Sequence, residues 1–344
     1  MQQKYMEKCI ELAKQAEGMT SPNPLVGCVV TDEFDNVIAT GYHHKYGENH
    51  AERDALLKIN KGDGDTLYVN LEPCSHYGKT PPCTDLIIEK GIKHVVVGML
   101  DPNPLVSGIE KLKKAGIDVT TGVLEEECKK LNEVFITNMT ENRIFVALKT
   151  ATTLDGKIAT SNGSSKWITS EKARDEVHKI RKRYDAIMTS STTVIADNPT
   201  MEHRKKVILD RELKTNLKSK IYQQGEIYVF NEKVDDLNGN INLIKTPVKD
   251  GKISLEFVFK KLYELGMRSV LIECGGKLNG KALKYTDKIY HFIAPKITGD
   301  NLSKSCFDYR KIADISECKE FKFDEIKVFE PDILLTYYPI DKKL

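Results

Sequence analysis

His50-Ala51-Glu52, followed by Pro73-Cys74-Ser75-His76-Tyr77-Gly78-Lys79-Thr80-Pro81-Pro82-Cys83, decides how the amino-terminal half of this chain is read. One histidine, two cysteines and a carboxylate two residues from the histidine are the parts of a zinc-hydroxide deaminase. Three ligands of N and S type leave the fourth tetrahedral position of Zn²⁺ open for water, which separates a catalytic site from a closed structural one. Zinc brings the pKa of that water near neutrality, and Glu52 is placed to shuttle its proton to a departing amine. Base deaminases carry the spacing H-x-E…P-C-x-x-C. Here eight residues, Ser75 to Pro82, lie between the cysteines.

The flanking sequence builds a pocket around these groups. Thr66-Leu-Tyr-Val-Asn-Leu71 reads as a buried strand that Glu72-Pro73 ends, placing Cys74 at its carboxyl edge. Pro82 ahead of Cys83-Thr-Asp-Leu-Ile-Ile-Glu-Lys90 is a helix-start signal, so Cys83 falls in a first helical turn, where the dipole favours thiolate. Asn49 is expected to cap a helix running from His50, with Glu52 near its amino end. Glu52 could merely complete a capping box with Asn49, and a lone buried cysteine is more often inert core than ligand. The four residues together, in this order and on these elements, favour catalytic zinc.

Length and composition set the frame. A chain of 344 residues suggests two domains, and 40% hydrophobic with 30% charged residues is ordinary globular protein. A net charge of +2 gives no reason to expect nucleic acid or a membrane surface as partner. No apolar run approaches the roughly 20 residues of a membrane span, and Met1–Gly18 reads as an amphipathic charged helix rather than a signal peptide. Eight scattered cysteines fit a reduced cytoplasm.

Residues 1–142 alternate helical and strand patterns. A helix leads into a hairpin (25–30 and 37–41), the His50 helix, strand 66–71, the Cys83 helix and strand 94–98. Helix 109–115, strand 118–120 and helix 125–140 follow, implying a sheet covered on both faces. A charged joint at 140–143 opens a second domain, residues 143–344. Its expected strands are 144–149, 186–189, 207–209, 227–230, 269–273 and 288–293, with helices at 171–182 and 255–265. The fold class is therefore α/β, in two domains.

Motifs along the whole chain resemble the bifunctional riboflavin-biosynthesis deaminase/reductase family. In the amino half these are Pro22-Asn23-Pro24, Val26-Gly27-Cys28, Gly41-Tyr42-His43, His50-Ala51-Glu52, the long cysteine motif and Asp101-Pro102-Asn103-Pro104. In the carboxyl half they are Leu148-Lys149-x-Ala151-x-x-Leu154-Asp155-Gly156-Lys157, Ser165-Lys166-Trp167-Ile168-Thr169, Thr193-Val194-x-Ala196-Asp197-Asn198-Pro199, Val207 to Arg211, Glu273-Cys274-Gly275-Gly276 and Ile293 to Lys296. The resemblance implies a cytidine-deaminase-like layered domain joined to one similar to dihydrofolate reductase. It implies two successive steps on one ribosylated pyrimidine phosphate: hydrolytic loss of a ring amine, then NADPH-dependent reduction of ribosyl to ribityl. It also implies a homo-oligomer.

Carried over residue by residue, the resemblance makes His50, Cys74 and Cys83 zinc ligands and Glu52 the proton donor. Asn23, His43, His76, Lys79 and Asn103 match the deaminase substrate pocket. In the reductase, Ser165, Arg181, Met201, Arg204 and Glu273 match substrate positions. Ala151, Trp167, Thr193, Asp197 and the loop Gly275, Gly276, Lys277, Leu278, Asn279, Gly280 and Lys281 match NADPH positions, and Arg211 is placed to meet the 2′-phosphate. That loop nearly spells a phosphate-binding ATPase motif, but Ala282 stands where a hydroxyl must hold Mg²⁺. By themselves the residues offer plainer readings: Trp167 as core, Arg181 as one charge of a solvated basic helix, Arg211 as a surface charge. Four departures stand out. Asn49 replaces the family's proline, trading a rigid approach for a side-chain cap; the turn Val106 to Ile109 is abridged; the link from Arg204 to Val207 is short; Cys274 replaces glycine or alanine, tightening the nucleotide loop. Competing readings are a monofunctional base or nucleoside deaminase with a degenerate carboxyl half, and a zinc-stabilised binding module with His76 as fourth ligand.

Overall fold

The computed structural model describes residues 2–77, 81–308 and 310–340. The chain divides into two compact units, one up to Asn142 and one from Arg143. Among the described residues, no helix is long and apolar enough to cross a membrane.

In the first unit the order is α1 (Gln2–Lys14), β1 (Gly27–Thr31), β2 (Val37–Tyr42), α2 (Ala51–Leu56), β3 (Thr66–Leu71), α3 (Cys83–Lys90), β4 (His94–Met99), α4 (Gly108–Lys114), β5 (Asp118–Thr121), α5 (Glu125–Leu131) and α6 (Glu133–Glu141). The strands form one sheet in the order β2-β1-β3-β4-β5. β1 is antiparallel to both β2 and β3, whereas β3, β4 and β5 run parallel. β1, β3 and β4 read as near-continuous apolar runs because helices cover both faces. Two glycines show how closely. A Cβ on Gly27 would lie 2.0 Å from the Cys9 carbonyl oxygen of α1, and one on Gly41 would lie 2.4 Å from the Ala51 carbonyl oxygen of α2. Cys28 is the strand partner of Gly41, so Gly27 and Gly41 point to opposite faces.

In the second unit the order is β6 (Phe145–Thr153), β7 (Lys157–Ala159), α7 (Glu171–Lys182), β8 (Ala186–Ser190), α8 (Ser191–Asp197), β9 (Lys205–Leu209), β10 (Glu226–Asn231), β11 (Asp236–Asn238), β12 (Ile241–Lys245), the hairpin β13 (Val248–Lys249) and β14 (Lys252–Ile253), α9 (Leu255–Glu264), β15 (Ser269–Ile272), α10 (Gly276–Ala282), β16 (Lys288–Ala294), β17 (Lys304–Ser305), β18 (Phe321–Phe329) and β19 (Asp332–Pro339). Ten strands form one sheet in the order β11-β12-β10-β9-β8-β15-β6-β16-β19-β18. From β12 to β16 all neighbours are parallel, and antiparallel strands close both ends. The order is not sequential at β8-β15-β6, so the carboxyl ends of these strands open a crevice of the kind that binds ligands in α/β sheets.

The structure corrects four local expectations. Asn49 does not cap α2: His50 occupies the cap position, with no side-chain cap hydrogen bond, so the capping-box reading of Glu52 falls. The single helix expected over 125–140 is broken at Asn132, which buries its side chain and binds Leu25 through both amide atoms: Leu25 N–H donates to Oδ1 at 2.8 Å, and Nδ2 donates to the Leu25 carbonyl at 3.0 Å. Residues 276–282 are helix α10 rather than a loop. The pair β18–β19 lies outside the expected elements: the apolar alternation of β18 (Phe321, Phe323, then Ile326, Val328) is broken by a register shift between Phe323 and Glu325, and none of its residues is buried.

Candidate zinc and nucleotide sites

His50, Cys74 and Cys83 converge although 24 and 33 residues separate the histidine from the two cysteines. Each reaches the site from an element end: His50 at the cap of α2, Cys74 just beyond β3, and Cys83 as first residue of α3. Both sulfurs lie 3.5 Å from His50 Nδ1, and all three ligand atoms lie within 4.8 Å of one another. Tetrahedral zinc, with bonds of about 2.3 Å to sulfur and 2.0–2.1 Å to nitrogen, places S and N about 3.5 Å apart, so the three groups fit the ion through Nδ1. Among the described residues no fourth His, Cys, Asp or Glu joins the cluster. His76 is exposed and outside it, which removes the closed structural site as a reading.

Electrostatics follow from the helix ends. The Cys83 backbone N–H donates to Cys74 Sγ at 3.3 Å. A hydrogen bond from the Cys83 thiol, against the opposing effect of burial and with help from His50, pulls the Cys74 thiol down to about 4, so Cys74 ionises first. Glu52 is buried at the start of α2. Burial, reinforced by the Cys74 charge, pushes its carboxyl up to about 7.

His43 and Asn23 form the neighbouring wall. His43 Nδ1 lies 2.9 Å from the Asn49 carbonyl and therefore donates to it, leaving Nε2 to accept from Asn23 Nδ2 at 3.1 Å. Burial pulls the pKa of His43 down and keeps the ring neutral. What residue 49 supplies is its main-chain carbonyl, which a proline would supply equally. Asn103 is half-buried on the segment after β4; its N–H donates to Asp101 Oδ1 at 2.8 Å. Lys79 lies outside the described residues.

In the second unit the crevice collects most of the expected positions. Ala151 lies near the carboxyl end of β6, Thr193 and Asp197 on α8 directly after β8, Arg211 beyond β9, and Glu273 with the start of α10 beyond β15. Ser190 caps α8, its Oγ accepting from Thr193 N–H. Arg181 is not a solvated charge. Its Nε and Nη2 donate to the two carboxylate oxygens of Glu273 at 2.6 and 3.1 Å, and Lys149 Nζ lies 3.5 Å from the same carboxylate. Burial would raise Glu273, but Lys149 and Arg181 outweigh it and hold the carboxyl at about 2. Lys149 carries no role in the motif Leu148-Lys149-x-Ala151; a lysine within the apolar strand β6 is the mark it leaves in the sequence.

The remaining positions lie on other segments of the second unit, Arg204 immediately before β9 at its amino end. Trp167 is not core: it is 62% exposed, the Arg174 guanidinium stacks 4.3 Å from its ring centre, and Lys296 donates to its carbonyl. Ser165 is half-buried on the same segment. Met201 is buried with positive φ, while Arg204 is exposed, its carbonyl held by Glu226 N–H at 2.7 Å. Arg211 is clasped by Glu212 and Glu232. The Cys274 thiol donates to Asn279 Oδ1 of α10 at 2.9 Å, and Asn279 Nδ2 donates to the Cys306 carbonyl at 3.1 Å.

Fold and site together define a two-domain enzyme in which a cytidine-deaminase-like zinc domain is joined to a nucleotide-dependent reductase domain. The sequence profile of the cytidine and deoxycytidylate deaminase zinc-binding region matches residues 1–99, and that of the RibD C-terminal domain matches residues 144–335. The chain belongs to the RibD family of bifunctional deaminase/reductases of riboflavin biosynthesis. It is 40% identical to the riboflavin biosynthesis protein RibD of Actinobacillus pleuropneumoniae, over 98% of this chain and 95% of that one. It is 42% identical to RibD of Aquifex aeolicus, over 94% and 95%. Its fold superposes on the diaminohydroxyphosphoribosylaminopyrimidine deaminase/5-amino-6-(5-phosphoribosylamino)uracil reductase of Thermotoga maritima with a TM-score of 0.88 at 40% identity, covering 98% of each chain. Both halves are present, so the reading with a degenerate carboxyl half is set aside; the cofactors are zinc and NADPH.

Proposed function

We propose that residues 1–142 carry the deamination and residues 143–344 the reduction, on a diaminopyrimidinone ribosyl 5′-phosphate, with the residue roles that follow. When bound, zinc supplies a Lewis acid that brings a water's pKa near neutrality. His50, Cys74 and Cys83 hold it. Glu52, whose carboxyl sits near 7, takes the proton of the attacking water and returns it to the departing amine; a group poised near the working pH does both. Asn23 and His43, locked to each other, present the Asn23 amide to the pyrimidine, and Asn103, His76 and Lys79 complete the base-and-phosphate pocket.

When bound, NADPH supplies the hydride for the second step. Glu273, kept ionised by Lys149 and Arg181, accepts hydrogen bonds from the sugar, while Ser165, Met201 and Arg204 line the substrate side, Arg204 pairing with the phosphate. Ala151, Trp167, Thr193, Asp197 and α10 with Gly275 flank the nucleotide. Arg211 meets the 2′-phosphate by exchanging the carboxylates of Glu212 and Glu232 for it. A homo-oligomer in the cytoplasm completes this reading, supported by the family resemblance and by eight cysteines without a disulfide among them.

The single observation carrying the proposal is the three-ligand cluster with buried Glu52 beside it. Glu52→Gln keeps size and ligands and removes the proton shuttle, a role worth about 10²–10⁴ in rate. Deamination should collapse by that factor, with zinc retained, while reduction of supplied deaminated substrate persists. Product analysis with and without NADPH reads both steps; equal loss of both activities in the folded variant would sink the assignment.

A further inference from the structure

The segment between β4 and α4 hangs from one side chain that neither reaction uses. Glu72 follows β3 and continues its pairing, its N–H donating to the Met99 carbonyl at 3.0 Å. Its carboxylate reaches across to both ends of the segment: Oε2 accepts from Asp101 N–H at 3.3 Å, and Oε1 from Ile109 N–H at 3.1 Å. Ile109 is in the first turn of α4, whose cap residue, Ser107, makes no side-chain cap hydrogen bond. Glu72 therefore caps α4 from 37 residues away, satisfying an otherwise orphaned N–H with a charge that the helix start favours. Asp101 in turn accepts from Asn103 N–H, and Asn103 Oδ1 accepts from Leu105 N–H at 3.1 Å, so the conformation of Asn103 is set through Asp101.

A second clasp lies beside the first. Ser107 N–H donates to Ser75 Oγ at 3.0 Å, and the two hydroxyls lie 3.4 Å apart. Gly108 is pressed so close that a Cβ there would sit 2.0 Å from the Pro73 carbonyl oxygen. Glu72, Pro73 and Ser75 are the neighbours of Cys74, so the backbone that presents a metal ligand also grips both ends of the Asn103 segment. Such a clamp costs nothing at the moment of binding. Without it the segment spends part of its time away from the pocket, and apparent affinity falls by the competent fraction.

We infer that Glu72 is a positioning residue for deamination: it holds the segment from Asp101 to Ile109 against the Cys74 loop so that Asn103 meets the pyrimidine phosphate in a fixed place. The inference rests on the deaminase reading above and adds to it a residue that touches neither substrate nor metal. It separates binding from chemistry, because Glu52 and the three ligands stay where they are.

The test is steady-state deamination by full-length Glu72→Gln, in which one amide oxygen replaces two acceptors and one end of the segment is released. Losing one charge-assisted bond of ~1.5 kcal/mol predicts a KM for the pyrimidine phosphate about tenfold higher. The kcat should change less than about twofold, zinc should remain one per chain by elemental analysis, and reduction by the same protein should be unaltered. Ser75→Ala, which removes only the second clasp, should move KM in the same direction by about two- to threefold and serves if Glu72→Gln does not fold. A fall in kcat at constant KM, loss of zinc, or wild-type kinetics in the variant that folds would overturn the inference. Absence of deamination in the wild-type chain would instead overturn the reading on which it rests.

Discussion

At the scale of single residues, the molecule's most strained balance is the buried trio of Glu273, Lys149 and Arg181. Two cations and one carboxylate share a space with 10–17% side-chain exposure. Removing one partner of such a buried cluster costs roughly 3–5 kcal/mol because the others are left uncompensated. The pH dependence has a definite sign. The folded carboxyl, near 2, lies below the ordinary 4.5, so its stabilisation is fully present above about pH 4.5 and is lost as pH falls through about 2. The shift corresponds to about 3 kcal/mol. Glu273→Gln should thus destabilise the second unit at neutral pH by that order, and the gap to wild type should narrow steadily below about pH 4.5. Denaturant melts from neutrality down to about pH 3 check this; a gap independent of pH would mean the carboxyl is not held ionised by its neighbours.

Elements were legible where local chemistry and tertiary packing agreed. α7 spans the expected 171–182 and α9 ends one residue short of the expected 255–265; in the structure Ser170 and Ser254 cap them. The metal ligands were legible because residue type and spacing carry them. Less of the rest was written locally. The break at Asn132 answers to Leu25, 107 residues away, and the Arg181–Glu273 pair spans 92 residues. Neither leaves a mark in the surrounding pattern. Gly275 to Lys281 reads as a loop because its three glycines outweigh propensity, yet buried Asn279 and Ala282 fold it into helix. The close packing of the first sheet gives a prediction at this scale. Gly27→Ala drives a methyl group into the Cys9 carbonyl and must push α1 off β1. Overpacking of this kind costs about 1–3 kcal/mol or more. The first unit should melt earlier while reductase activity at ambient temperature is kept, as differential scanning calorimetry and a reductase assay would show; an unchanged melting profile would mean α1 is not seated as described.

For the whole molecule, the proposed roles assign the two reactions to residues of different units and to different cofactors. Every proposed zinc ligand lies before Asn142, and every proposed NADPH contact lies after Arg143. A chelator should therefore abolish deamination, restored by added zinc, and leave NADPH oxidation with deaminated substrate at its original rate. Structural metal binding is folding free energy, but here the sheet and its helices bury a continuous apolar core around the first unit without calling on the ion. Circular dichroism of the chelated protein should accordingly retain its helical signal. Collapse of that signal, or parallel loss of reduction, would show that the metal supports more than one reaction.

The contact between His43 and residue 49 bears on how such enzymes diversify and how they are found. Because the imidazole meets a main-chain oxygen, no particular side chain is demanded there. Replacing Asn49 by proline would keep that acceptor, whereas replacing His50 would remove a proposed metal ligand. A sequence pattern that insists on proline before His-Ala-Glu would pass over a chain whose histidine wall is built from the same main-chain oxygen.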